Sequence, residues 1–349
     1  MENNSNLILG KGAYGEVFLK DGNAVKKFDG LRHITQEYAA LKYLSNCQHI
    51  VNVKNVNFEN LQIEMELYDC NLKKWLSNNK KIDIESRNKI IHDILYGLIE
   101  LHDRGLCHGD LKPGNILIKN DPLKAVLGDC GFVTISKYTK TNLTTKNYRD
   151  PVYERTSAHD MFSFGICLYE LITNRRLFYK NSYDEYKKIV KKFVENSFYY
   201  EIISSLLDED KLKRPTSKEL MSKLFDKKID TFVPKDIKKY DENISNIEED
   251  MIREIIKVLG HQNKINRCNQ GCIAILNFLN KYTIEIDYYT IYTLITLMIL
   301  SSVFGKPGFN EEKCFLLCSS CKNITKQKFY EILYELLNDV DYISILLLK

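Results

Sequence analysis

The chain of 349 residues exceeds the length over which one hydrophobic core keeps growing, which predicts two domains. With 44% hydrophobic and 28% charged residues, and 50 Lys and Arg against 46 Asp and Glu, the composition excludes a disordered chain and a nucleic-acid-coating one. Met1 to Asn6 carries neither a basic region nor an apolar run of the secretory kind, so the ten cysteines are expected as thiols in a reducing compartment.

From Leu7 to Val25, short β-like runs surround a cluster of glycines. From Thr35 to Leu44 the apolar spacing becomes helical, with Tyr38, Leu41 and Leu44 on neighbouring turns. Val51 to Phe58 and Leu61 to Tyr68 predict two further strands, and helical patterns follow at Asn71 to Leu76 and Glu85 to Arg104. The chain thus passes from a β-rich to an α-rich half. Asp226 to Ser245, rich in Lys, Asp and Asn and containing Pro234, reads as a linker. Beyond it, helices are expected near Ile247 to Leu259, Cys268 to Lys281, Tyr288 to Phe304, Glu311 to Cys318 and Lys326 to Asp339. Tyr288 to Phe304, the longest apolar stretch, is interrupted by Thr and Ser and falls short of a membrane span.

Gly10, Gly12 and Gly15 allow close backbone approach to a phosphate group, although such a turn also serves as a plain hairpin. Ala24, Val25 and Lys26 end a strand with a cation, and Glu37 on the following helix is suited to hold it; a lone Lys and Glu are more often solvated charges. The later cluster changes the balance. His108-Gly109-Asp110-Leu111-Lys112-Pro113-Gly114-Asn115 is followed, after a short hairpin, by Asp129-Cys130-Gly131. Phosphoryl transfer needs a carboxylate to orient the attacking hydroxyl, oxygen ligands for Mg²⁺ and cations against phosphate charge, and this set contains each.

In this order, the motifs resemble those of eukaryotic-type serine/threonine protein kinases from about Leu7 to Lys228. The resemblance implies an α+β, bilobal protein kinase fold, with a small β-rich N-lobe and a larger helical C-lobe, followed by an all-α C-terminal domain. The implied layout is a kinase domain over residues 1–228, a linker over 229–245 and a helical domain over 246–349. ATP and Mg²⁺ are the implied cofactors and proteins the implied substrates; neither a nucleic acid nor a membrane is expected as a partner, and the expected location is cytoplasmic or nuclear. The carried-over roles give Lys26 the α/β-phosphates and a pair with Glu37, Asp110 the substrate hydroxyl, and Asn115 and Asp129 the Mg²⁺ ion. The glycine loop, Gly10, Lys11, Gly12, Ala13, Tyr14 and Gly15, covers the nucleotide in this reading. Leu9, Val17, Ala24 and Leu117 sandwich the adenine, Met65 is the gatekeeper, and the backbone of Glu66 and Tyr68 meets the adenine edge, although each apolar residue alone reads equally as core. Lys112 and Thr145 resemble the residues typical of Ser/Thr specificity; Asp160 resembles the anchor of the catalytic loop, and Arg214 that of the substrate loop. Within the family, Glu37 to Leu44, His49 to Val51 and Asn71 to Trp75 look closest to the cyclin-dependent group.

Several positions depart from the pattern. Gly109, Gln36 and Thr134 stand where the family commonly holds a phosphorylated activation loop, which predicts activity without that phosphate. Cys130 replaces a usual Phe and reads as packing. Val152 stands where the family carries the Glu that pairs with the residue matched by Arg214; either Glu154 compensates or the substrate loop is loosened. The rival reading is a pseudokinase scaffold that binds nucleotide and partners without efficient transfer. The C-terminal segment resembles a cyclin box in Ile275 to Leu279 and the buried helix to Phe304, which would put an activator on the same chain; the alternatives are an unspecified small helical bundle and a partner-binding module that regulates the kinase domain. Cys268, Cys272, Cys314, Cys318 and Cys321 admit a zinc site or, at helical spacing, one apolar face.

Overall fold

A computed structural model describes residues 7–12, 14–135, 145–152, 156–227, 331 and 334. These fall into two compact units: 7–43 with 53–65, 331 and 334, and 44–52 with 66–227.

The first unit is an antiparallel sheet with one helix. Its elements are β1 Ile8–Gly12, β2 Gly15–Lys20, β3 Asn23–Phe28, α1 Leu31–Tyr43, β4 Val53–Asn57 and β5 Gln62–Met65, with strand order β1-β2-β3-β5-β4. Ile63 and Met65 alternate into the core along β5, as a strand with one buried face requires. Against the sheet, α1 buries Ile34, Tyr38 and Leu41, and the Tyr38 ring meets Phe58 edge-on at 5.5 Å. The turn between β1 and β2 closes tightly because Gly15, at φ 150°, brings its α-carbon where a Cβ would lie 2.0 Å from the Lys27 carbonyl oxygen.

The two largest boundary differences from the sequence reading fall on α1 and β5. Helix α1 begins at Leu31 rather than Thr35, its first turn accepted by the Gly30 carbonyl without an acidic residue in that turn to announce it. The strand expected over Leu61 to Tyr68 ends at Met65, where Glu66 N turns to Asn52 O.

The second unit is mainly helical: β6 Cys70–Asn71, α2 Leu72–Asn78, α3 Ile84–His102, β7 Leu106–Cys107, β8 Ile116–Asn120, β9 Leu123–Leu127, β10 Thr134–Ile135, α4 Ser157–Thr173, α5 Tyr183–Val194, α6 Tyr200–Leu206 and α7 Ser217–Phe225. Small ladders of β6-β8-β9 and β7-β10 support the loops between the helices. Each major helix starts on a recognisable cap. Asp83 accepts from Ser86 N before α3, Thr156 from His159 N before α4, and Thr216 with Glu219 forms a reciprocal capping box on α7. Helix α4 is buried on nearly every side, with Phe162, Phe164, Ile166, Leu168 and Leu171 inward, so it is the central helix of the unit. Helix α5 instead buries one stripe, Tyr183, Tyr186, Val190 and Val194. Burying each large apolar side chain stabilises the unit by about 1.5–3 kcal/mol. The expected C-terminal helices and their cysteines lie outside the described residues.

Candidate active site

In the first unit, the β2 and β3 ladder sets Val17 opposite Lys26, and the β3 and β5 ladder sets Ala24 opposite Met65. Gly10 pairs with Val17 and Gly12 with Gly15 across the preceding hairpin, while Leu9 is 46% exposed. Lys11 forms an exposed ion pair with Glu16, and Ala13 lies outside the described residues. The Tyr14 ring lies against His33, with centroids 4.3 Å apart.

Lys26 leaves β3 toward α1, where its Nζ lies 2.6 Å from Glu37 Oε2; the side chains are 12% and 3% exposed. A carboxylate that deep is stable only when paired, so the ammonium is fixed in one place. Next to Glu37, the Tyr38 phenol is pushed up to about 12 by burial and, secondarily, by Tyr334.

In the second unit, Glu66 and Tyr68 lie on the segment that follows β5, and Leu117 lies on β8, packed beneath Gly128. Burial opposes the Glu66 charge, but Lys119 at 3.0 Å and the Tyr68 hydroxyl outweigh it and hold the carboxyl below its ordinary value.

The loop after β7 carries the polar cluster. Lys112 Nζ donates to Asp110 Oδ2 at 2.5 Å and to Thr145 Oγ1 at 2.7 Å. Thr145 N donates to Asp110 Oδ1 at 2.9 Å, so both carboxylate oxygens are held. Asn115 Nδ2 donates to Asp110 O at 2.9 Å and to Asp110 Oδ2 at 3.2 Å, which turns its amide oxygen away from these bonds. Gly128 N donates to Asn115 O at 2.8 Å, and His108 Nε2 lies 3.0 Å from Gly128 O. These two bonds tie the loop to the residue just before Asp129, whose backbone sits in the left-handed region at φ 55° and ψ 63°. The amide oxygen and the carboxylate are hard oxygen donors and fit Mg²⁺ chemically.

Asp160, in the first turn of α4, is fully buried and anchors this loop from below. Its Oδ2 accepts from His108 N at 2.7 Å and its Oδ1 from Gly109 N at 2.9 Å, with His102 Nε2 at 3.1 Å from Oδ2. Burial raises its pKa, but His102 first and then His108 and His159 outweigh that and hold the carboxyl low. Cys130 is fully buried, as packing requires.

The model of the protein kinase domain family matches residues 4–231. The chain belongs to the protein kinase family. Related kinases include the Wee1-like protein kinase of Oryza sativa subsp. japonica, 28% identical over 208 residues that span 56% of this chain and 39% of the relative. Mitogen-activated protein kinase 4 of Arabidopsis thaliana is 27% identical over 215 residues, 53% of this chain and 56% of the relative. The serine/threonine-protein kinase/endoribonuclease IRE1 of Oryza sativa subsp. japonica is 31% identical over 180 residues, 42% of this chain and 19% of the relative. The chain therefore spans less than two thirds of the length of each of these kinases.

Within this kinase domain the sequence reading missed one buried carboxylate. Asp150 accepts from Arg214, while Val152, at the position that lacks the family's Glu, is 63% exposed and Glu154 lies outside the described residues. The signal was available: an acidic residue directly before Pro151, two positions upstream of the missing one.

Proposed function

We propose that this chain transfers the γ-phosphoryl group of ATP to serine or threonine hydroxyls of protein substrates. The observation that carries the reading is the Lys112 ammonium shared between Asp110 Oδ2 and Thr145 Oγ1. A carboxylate has about four lone-pair sites, of which the Lys112, Asn115 and Thr145 donors occupy three, so Asp110 accepts the hydrogen bond of an incoming hydroxyl, orients it and takes up its proton. Lys112 offsets negative charge beside that hydroxyl, and Lys26, held by Glu37, meets the α/β-phosphates. Asn115 and Asp129 would hold Mg²⁺, which when bound offsets charge on the phosphates. Gly10, Lys11, Gly12, Ala13, Tyr14 and Gly15 cover the nucleotide in this reading, and Leu9, Val17, Ala24, Met65, Glu66, Tyr68 and Leu117 take its adenine. Incubation with labelled ATP and a generic basic protein, followed by phosphoamino-acid analysis, tests the assignment. Phosphoserine or phosphothreonine supports it; phosphotyrosine alone overturns the Ser/Thr part.

The same account includes activity without a phosphorylated activation loop. Gly109 offers no cation to a loop phosphate, and Thr145 is braced on Asp110 and Lys112. It also includes support from the C-terminal domain, which linkage on one chain would hold at high effective concentration. In this reading the domain, over residues 246–349, is a cyclin-like activator of a kinase akin to the cyclin-dependent group. Deleting residues after Ser245 tests this: a fall in transfer that added C-terminal domain restores supports the linkage, and unchanged transfer overturns it.

A further inference from the structure

We propose that Asp150 is the positioning residue of the substrate loop, carrying through Arg214 and Tyr183 the anchoring role that the sequence left between Glu154 and a loosened loop. Asp150 is buried, and its Oδ2 lies 2.5 Å from Arg214 Nη1. Its Oδ1 accepts from the Tyr183 hydroxyl and, at 3.0 Å, from Val152 N within its own loop. One side chain thus joins three segments: the loop itself, the start of α5 and the turn before α7. Arg214 is equally committed. Its Nε donates to Asp208 O at 2.8 Å, its Nη1 also donates to Ala158 O at 3.1 Å, and its guanidinium lies 5.0 Å from the Phe162 ring centre on α4.

The chemistry explains why this carboxylate sets the loop. A buried guanidinium without a counter-charge is costly, so removing Asp150 leaves Arg214 uncompensated. The Val152 amide hydrogen bond ties the pair to the backbone of its own loop. The exposed Val152 side chain supplies no such link. The carboxylate has in effect moved two positions along the chain, to the side of Pro151 that faces Tyr148.

The kinetic part of this inference rests on the phosphotransfer reading; the ion pair does not. Asp150→Asn, Arg214→Gln and the double substitution in the full chain, followed by thermal unfolding and initial rates on a basic protein, separate the two. The expected kinetics for Asp150→Asn are a rise in KM for the protein substrate of roughly tenfold, with KM for ATP within about twofold. Each single substitution is expected to lower Tm by roughly 4–10 °C, and the double by no more than the worse single. Additive losses in Tm overturn the pairing. Equal changes in both KM values, or a protein KM that does not move, overturn the positioning role. If the unsubstituted chain transfers no phosphate, the phosphotransfer reading fails, and the unfolding cycle alone decides the pair.

Discussion

Lys26 Nζ stands 2.6 Å from Glu37 Oε2, joining β3 to α1 within the sheet-bearing unit. The pair answers to burial, because a carboxylate 3% exposed has to be compensated. Glu37→Gln keeps the shape and removes the charge that pairs with the ammonium. The expected result is a fall in kcat/KM for ATP of roughly 10²-fold, measured as initial rates at varied ATP, and a Tm lower by roughly 2–8 °C. A loss within about threefold, near 0.6 kcal/mol of transition-state stabilisation, would show that Lys26 is held by other groups.

Thr145 supplies both a hydroxyl to Lys112 and a backbone N–H to Asp110. Thr145→Ala removes only the first, so transfer to protein should fall by roughly tenfold, while Thr145→Ser should retain most of it. Alanine at Thr139, Thr141 or Thr144 should leave the rate within about twofold, because no cation at position 109 awaits a phosphate there. A large loss at any of these three, restored by an acidic residue, contradicts activity without loop phosphorylation.

Gly109 adopts φ 79°, and a Cβ added there would lie 3.0 Å from the Phe132 carbonyl oxygen. Gly109→Ala therefore strains the backbone at the His108 and Gly109 amides that Asp160 holds, and should cost about 1–2 kcal/mol. Thermal unfolding is expected to shift down by roughly 2–8 °C. An unchanged Tm would mean that the loop relaxes at no cost.

The Asp160 carboxyl, held low in the folded chain, makes stability depend on acid. A carboxylate with a folded pKa below its unfolded value adds stability that is fully present above the ordinary Asp range, near 3.8, and is lost as pH falls through the lower folded value. Asp160→Asn should lower stability most at pH 6–7 and least near pH 2–3, so the two unfolding curves converge on acidification. A constant gap across that range would show that the charge is not what Asp160 contributes.

Much of this site was legible because its chemistry is local in sequence. Asp110, Lys112 and Asn115 fall within six residues, and Asp129 follows one hairpin later, so this order carries the resemblance to protein kinases from which their roles were read. Glycine clusters and caps such as Thr216 with Glu219 are similarly local signals. The long-range partners were not legible. Asp150 meets Arg214 across 64 positions and Tyr183 across 33, and no periodicity encodes such a pairing. His49 Nε2 on Asp93, 3.2 Å apart, and Glu100 accepting from Gln48 N and His49 N are further examples, where buried carboxylates join a loop to α3. Helix and strand ends failed for the opposite reason: α1 begins without a side-chain cap, and β5 stops where the backbone finds a partner in Asn52.

The most direct test is phosphate transfer from MgATP to a basic protein and to the chain itself, with the unsubstituted chain compared against Asp110→Asn and Asp129→Asn. Transfer to Ser or Thr that falls by roughly 10²-fold or more in both variants, with each still folded by thermal unfolding, is the predicted result. Measurable ATP binding without transfer in the unsubstituted chain, or transfer that survives both substitutions, would contradict it.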